Sequence, residues 1–492
     1  MINKAIHDEL LSSLYEKKYS KALNIFAFFA FSLLVMDCAI SGGGHYFMIG
    51  PLSLRMILGF IALFCALPTI LSNLREWINN AMIISLLLFI IYLCICAYIG
   101  IRNQADTVAL LRDLKGFSWL FLIPVALAVV NSHTRMVFLM KCIICAATLQ
   151  SLLILALNLL LAFRPNALAF FYEPMLYLQF GFIDSITNNM TRIFSRSGPY
   201  MAIGIIIMLY LQLTDTKLNW AYIICSSLCL NALLLSFTRS LYAAACFSFI
   251  LTIIFTLILT KHLRRKILCH ILAITVLFAV LLISQYFLTG ANYFQFAVAR
   301  TFSLNIVTNA QDNSINDSIE NTPSNDIDTS QPTQEDTTDS STPAITNEDL
   351  RQQNYIDRTR DSDEIIRNTT IAQLKEMIKQ HPIFGNGLGA AIEYREDGLV
   401  EYFYYDMLNK TGFMGLFLYY FPILYMIYFI IFLLKNKQQE QVLLGILLLC
   451  SLMTFLIVTF FNPYMNAAIG ISFYSIIIGY FYILNKYKTI MK

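Results

Sequence analysis

The stretch AMIISLLLFIIYLCICAYIG, residues 81–100, decides the fold, because it contains no charged residue over twenty positions. A helix of that length crosses the roughly 30 Å hydrocarbon core of a bilayer. The whole chain of 492 residues is 58% hydrophobic and 13% charged, with a mean hydropathy of +0.63. Soluble proteins carry about 25% charged residues. These values predict an all-α, polytopic membrane protein.

Similar apolar runs recur along most of the chain. We predict about twelve transmembrane helices, at residues 22–39, 52–71, 81–100, 116–132, 142–162, 200–213, 220–236, 241–260, 267–288, 411–434, 442–461 and 471–485. These spans divide the chain into three parts. Residues 1–288 and 411–492 form the membrane bundle, and a large extracytoplasmic loop region, 289–410, joins spans nine and ten.

The basic residues between the spans indicate the orientation. With the N-terminus inside, most lysines of the connecting segments face the cytoplasm, as the positive-inside rule requires, and both termini are cytoplasmic. The basic residues of the short outer segments are mostly arginine: Arg102, Arg112, Lys115, Arg164, Arg192, Arg196 and Arg239. Since these go against the rule, we expect an anionic ligand that arginine forks would bind. The alternative is snorkelling, or ion pairing with Asp106, Asp113 or Asp184.

Four arginines are candidates for such a site by their positions. Arg192 and Arg196 lie four residues apart directly before a span, so on a helix they would share a face. Arg239 lies in a tight turn between two spans, and Arg55 falls inside a predicted span. Ionisable residues held at that depth are functional candidates.

The outer loop region has three parts. Residues 289–303 follow span nine and contain Arg300. Residues 304–349 are rich in Asn, Asp, Ser, Thr and Pro and contain no Lys or Arg, which predicts a disordered acidic insert without chemistry. Residues 362–380 regain helical periodicity and precede Pro382, which predicts an outer-face helix.

A glycine-rich stretch, PIFGNGLG at residues 382–389, follows that helix. A nucleotide loop would need a strand before the glycines, and no Gly-Lys-Ser/Thr is present. The pattern therefore favours a tight turn with positive φ angles and a close approach of backbones.

Glu401 and Asp406 are candidate general bases, because both lie just before span ten on the outer side. They stand among Tyr402, Phe403, Tyr404 and Tyr405, whose rings either stack on sugars or form an interfacial aromatic belt. No His/Cys cluster has metal-ligand spacing, and no pattern indicates a cofactor.

Five motifs occur in a recognisable order along the chain. They are LRDLKGF from Leu111, RIFSRSGPYMAIG from Arg192, FTRSLYAA from Phe237, Arg367 with the turn 382–389, and Gly412 with Gly415 at the next span. Together they resemble the bacterial O-antigen ligase and O-antigen polymerase superfamily. The resemblance covers residues 190–430, and outside that range it extends to the topology only.

The resemblance implies a metal-independent, GT-C-type membrane glycosyltransferase at the outer face of the bacterial cytoplasmic membrane. Its donor and acceptor would be polyprenyl-diphosphate-linked oligosaccharides, held in the membrane lipid. Its possible protein partners would be a flippase and a chain-length regulator, and it would not bind nucleic acid. By the same resemblance Arg192, Arg239 and Arg300 match the family's outer arginines, with Arg196 an alternative to Arg192. The resemblance thus implies that these four arginines, together with Arg367 at the start of the outer-face helix, bind the diphosphate of the substrate.

One departure from the family pattern concerns the reaction. The ligases carry a His-Asn pair where this chain has Glu401-Tyr402. This favours a polymerase that joins repeat units of O-antigen, capsule or exopolysaccharide, with Glu401 or Asp406 as the base. A ligase or protein O-oligosaccharyltransferase is the first alternative. A polysaccharide flippase or transporter is the second, although we find no internal repeat of the kind common in transporters.

Overall fold

A computed structural model describes residues 2–42, 48–49, 52–178, 180–187, 190–215, 217–260, 264–302, 368–392, 402–435 and 439–491. The predicted insert 304–349, the start of the outer-face helix with Arg367, and the candidate base Glu401 lie outside the described residues. Most of the described chain is helical.

Helices follow one another through the first part of the chain, with two strand pairs between them. In order, these are α1 (Ile2–Ser41), β1 (Met48–Ile49), β2 (Leu52–Ser53), α2 (Leu54–Trp77), α3 (Ala81–Arg102), α4 (Thr107–Ser118), α5 (Leu122–Val129), α6 (His133–Phe163), α7 (Leu168–Tyr177), β3 (Gly181–Thr187) and β4 (Met190–Ser195). The remaining elements are α8 (Gly198–Thr214), α9 (Trp220–Leu234), α10 (Arg239–Leu259), α11 (Arg264–Thr289), α12 (Tyr293–Phe302), α13 (368–380), α14 (Phe403–Lys435), α15 (Gln439–Val458) and α16 (Ala468–Met491).

The described residues contain eight helices that are long and apolar enough to cross a membrane. These lie in α1, α2, α3, α6, α10, α11, α14 and α16, and α8, α9 and α15 contain shorter apolar helices. The chain is therefore a multi-pass membrane protein, as its composition predicts. The predicted span 116–132 is not one helix, because α4 ends at Ser118 and a 3-10 turn, Trp119–Phe121, separates it from α5.

Burial identifies the centre of the bundle. The apolar window of α16 is 89% buried, whereas that of α11 is 17% buried. The short α8 is buried along Gly198–Leu213 and packs against α6, α9 and α15. Thus α8 and α16 form the core, and α11 lies at the periphery.

The segment before α8 corrects one prediction. Residues 181–187 and 190–195 pair as two antiparallel strands rather than forming a helix, with Asp184 opposite Arg192, and we call this pair the β-hairpin. Arg192 therefore lies on β4, while Arg196 follows the end of that strand. Their spacing of four reflects a strand and a turn, not a shared helical face.

Candidate functional site

Two arginines that are distant in sequence donate to one short turn between α9 and α10, and a third arginine begins the helix that follows the turn. The Nε of Arg192, on β4, donates to the Ser236 carbonyl over 3.1 Å. The Nε of Arg300, on α12, donates to the neighbouring Phe237 carbonyl, also over 3.1 Å. Arg239 is the first residue of α10 and is exposed. The structure thus brings Arg192, Arg239 and Arg300 together, and we call these three residues the arginine cluster.

The hairpin holds Arg192 against this turn. The backbone N–H of Ile193 donates to the Leu235 carbonyl over 3.1 Å, beside the Arg192 contact. The Arg192 guanidinium also lies 4.7 Å from the centroid of the Phe182 ring. Its Nη1 is 3.7 Å from a carboxylate oxygen of Asp184, a separation longer than a charge-assisted hydrogen bond. The predicted pairing with Asp184 is therefore present but loose.

The second contact of the turn is with α12, which carries Arg300. The Phe237 ring is stacked on Tyr293 with centroids 6.4 Å apart, and meets Phe296 edge-on at 4.8 Å. Burial raises the pKa of the Tyr293 phenol, so the hydroxyl stays protonated at neutral pH. Arg192 and Arg300 therefore donate to adjacent carbonyls of the same turn, one from β4 and the other from α12.

The start of α10 adds to the positive potential. Its N-cap residue, Thr238, makes no side-chain cap, and its hydroxyl donates to the Ser236 carbonyl over 3.0 Å. The N-terminus of a helix carries a partial positive charge. Three arginines and this helix end together make a region suited to an anion such as a phosphate.

Arg196 lies beside a different part of the bundle, the end of α1. A Cβ on Gly42 would lie 2.5 Å from the Arg196 Cβ, and the Ser197 hydroxyl donates to the Ile40 carbonyl over 3.0 Å. Arg196 is exposed, and its charge acts on Tyr464, which precedes α16.

Arg55 supports that end of α1 from inside the bundle. Its Nε is 2.7 Å from Asp37, and its Nη1 donates to the Gly42 carbonyl over 2.9 Å. Both ionic side chains are buried, at 6% and 3% exposure. Arg55 therefore has a structural partner, and its position inside a span does not make it part of the arginine cluster.

Asp406, one of the two candidate bases, lies in the first turn of α14. The Lys410 ammonium is 2.8 Å from Asp406 and 2.8 Å from Asp113 on α4. Asp113 also accepts a hydrogen bond from the Gly389 N–H over 2.8 Å. Asp406 is 8% exposed. These contacts form a buried ionic triad, Asp113–Lys410–Asp406, that joins α4, α14 and the glycine turn.

The glycine turn packs its backbone directly on two helices, as the sequence predicts. Gly385, Gly387 and Gly389 have φ angles of 75°, 93° and 81°. A Cβ on Gly387 would lie 2.3 Å from the Gly100 nitrogen of α3. Within α14, Gly412 has φ 62° and ψ −172°, which breaks the helix.

The turn also satisfies the backbone groups that this break exposes. The Asn386 and Gly387 N–H groups donate to the carbonyls of Asn409 and Lys410, over 2.7 and 3.1 Å. In return, the Phe413 N–H donates to the Pro382 carbonyl over 2.9 Å. The turn and the break in α14 therefore form one structural unit, which needs no bound ligand to explain its glycines.

The sequence singles out the three arginines as candidates but not the residues that organise their surroundings. These are Phe237 at the arginine cluster, and Lys410 with its partner Asp113 in the ionic triad. Lys410 sits at the edge of an apolar run, where it looks like a flanking charge. Only its position four residues after Asp406 gave a local signal, since such pairs share a helical face.

Comparisons with family models, curated proteins and solved structures found no match to this chain. Within the described residues, no group of three or more His, Cys, Asp or Glu side chains could hold a metal ion.

Proposed function

We propose that this protein is a polysaccharide polymerase that joins polyprenyl-diphosphate-linked oligosaccharide units by metal-independent, inverting glycosyl transfer. The observation that supports this most strongly is the arginine cluster. The guanidinium groups of Arg192 and Arg300 donate to one turn at a helix N-terminus, and Arg239 is the first residue of that helix. A diphosphate has several anionic oxygens, so it suits several arginine forks at once.

The reaction would proceed by one displacement. A hydroxyl of the acceptor sugar attacks the anomeric carbon of the donor, and the bond from that carbon to the diphosphate oxygen breaks. A carboxylate takes the hydroxyl proton. The arginine cluster stabilises the negative charge that develops on the departing polyprenyl diphosphate.

Glu401 is the better candidate for the base. Asp406 is held 2.8 Å from Lys410 and is 8% exposed, so a sugar hydroxyl would have to displace a buried ion pair to reach it. We therefore assign Asp406 to positioning the start of α14. Glu401 directly precedes Tyr402 at that same start.

The proposed site lies on the outer face of the bacterial cytoplasmic membrane, with both termini in the cytoplasm and about twelve spans in a GT-C-type bundle. The orientation rests on the lysines between spans on the inner side. The broken segment α4–α5 would count as one of these spans.

Two related functions and one unrelated function are alternatives. A ligase, or a protein O-oligosaccharyltransferase, would use the same diphosphate site, but this chain has Glu401-Tyr402 where the ligases that it resembles have His-Asn. A flippase or transporter would need no base.

A deletion strain separates these functions by its surface glycans. Loss of a polymerase leaves single repeat units on the terminal acceptor, whereas loss of a ligase leaves long chains on polyprenyl diphosphate. Loss of a flippase leaves single lipid-linked units inside the cell. We expect single repeat units on the terminal acceptor, and we expect the wild-type gene to restore long chains. Either of the other two patterns would contradict the proposal.

A further inference from the structure

Phe237 adopts a backbone conformation that aromatic residues rarely take. Its φ angle is 45°, in the left-handed region, and its side chain is 1% exposed. For a bulky residue this conformation is strained, and such strain persists only where the surroundings hold it. Strained residues of this kind cluster at functional sites.

The carbonyls around Phe237 receive two arginines of the cluster. Arg192 binds the carbonyl of Ser236, and Arg300 binds that of Phe237 itself. Each contact uses Nε and so sets the plane of the guanidinium. The direction of both carbonyls depends on the backbone angles at 236 and 237.

The Phe237 ring also determines where Arg300 lies. It contacts Tyr293 and Phe296, which are separated by one helical turn of α12 and lie on the same side of that helix. Arg300 follows Phe296 by four residues, so it extends from that same side. The ring therefore holds α12 at the distance at which Arg300 reaches the turn.

We propose that Phe237 is a positioning residue that assembles the arginine cluster, by clamping α12 with its ring and aiming the carbonyls of the turn. It would not touch the substrate. This inference rests on the proposed function only in naming the ligand as a lipid diphosphate. The clamp itself is a claim about α12 and Arg300.

The test uses the full chain in lipid nanodiscs with undecaprenyl diphosphate as the probe. Phe237→Ala and Arg300→Ala should each weaken probe binding about ten-fold, the weight of one charge-assisted hydrogen bond. The double variant should bind about as weakly as either single one, since both changes remove the same contact. Phe429→Ala, which empties a similarly buried site on α14, should leave the affinity unchanged.

Hydrogen exchange of α12 gives a second measurement that needs no ligand. Amides of Tyr293–Phe302 should exchange faster in Phe237→Ala and in Phe296→Ala, and at the wild-type rate in Phe429→Ala. Phe296→Ala removes the clamp from the other side, so it decides the matter if Phe237→Ala does not fold.

The outcomes separate the two claims. If α12 exchanges faster in Phe237→Ala but the wild type does not bind the probe, the clamp is supported and the diphosphate site is contradicted. Two results would overturn the role of Phe237 even if the wild type binds the probe. One is that α12 exchanges at the wild-type rate in Phe237→Ala. The other is that the loss of affinity in the double variant equals the product of the two single losses.

Discussion

Arg192 and Arg300 donate to adjacent carbonyl oxygens of a single turn, each over 3.1 Å. One comes from a β-hairpin and the other from a short helix after α11. Their Nε contacts hold both guanidinium groups at this turn. A ligand with several negative oxygens suits two planar forks held at one place.

Arg239 provides the simplest test of that role. Arg239→Lys keeps the charge but loses the planar fork that binds two oxygens together. We expect loss of polymer with normal membrane insertion, measured by glycan gels and by immunoblots of membrane fractions. Arg75→Lys, a change at an exposed arginine near the end of α2, should leave chain lengths unchanged. Wild-type chain lengths in Arg239→Lys would refute bidentate phosphate binding.

Lys410 should be essential for stability because it neutralises two buried carboxylates. Lys410→Met leaves Asp406 and Asp113 facing each other, and removing one partner of a buried ion pair costs about 3–5 kcal/mol. The unfolding temperature of Lys410→Met in detergent should fall well below that of the wild type. The double variant Lys410→Met/Asp406→Leu should recover part of this decrease in unfolding temperature.

Lys379 is the matched control for this experiment. Its ion pair with Glu376 is 2.6 Å long, but both side chains are exposed, at 72% and 69%. Lys379→Met should therefore cost about 1 kcal/mol or less. Equal unfolding temperatures for Lys410→Met and Lys379→Met would contradict the stabilising role of the triad.

Gly387 should tolerate no side chain, for a reason beyond its φ angle. Gly387→Ala combines left-handed strain with a Cβ that would lie 2.3 Å from the Gly100 nitrogen. Gly290 has a similar φ of 71° but open space around it, so Gly290→Ala should show the strain alone, about 1–2 kcal/mol. Thermal unfolding should rank Gly387→Ala clearly lower, and equal stability would show that the turn does not need this close packing.

The Asp37–Arg55 pair should behave as a unit. Arg55→Met leaves a buried carboxylate without its counter-charge, and less folded protein should be recovered from membranes. Arg55→Met/Asp37→Leu removes both charges and should restore much of the yield. Recovery no better in the double variant than in the single one would mean that Arg55 acts through its contact with Gly42 instead.

The sequence predicts the apolar helices well because each depends on local composition. Residues 81–100 lie inside α3, and the glycine turn, residues 382–389, follows α13, which ends at residue 380. The hairpin was missed because the spacing of Arg192 and Arg196 favoured a helix. Its sequence does not alternate regularly between apolar and polar residues, so the only strand signal is the set of β-branched residues on either side of Asn188-Asn189.

The convergence of the arginines could not be predicted from local patterns. Arg192 and Arg300 meet only because β4 and α12 pack on the same turn, and no periodicity reports such a contact. The same holds for Lys410 and Asp113, which belong to α14 and α4. Long-range packing decides which charges pair, so a sequence shows the candidates but not the partnership.

Reconstitution tests the central claim most directly. The purified full chain in liposomes is given single oligosaccharide repeat units on undecaprenyl diphosphate, with a metal chelator present. We predict a ladder of products that differ by one repeat unit, formed by the wild type and absent with Arg239→Lys. A wild type that binds the lipid-linked units but returns them unextended would contradict the assignment as a polymerase.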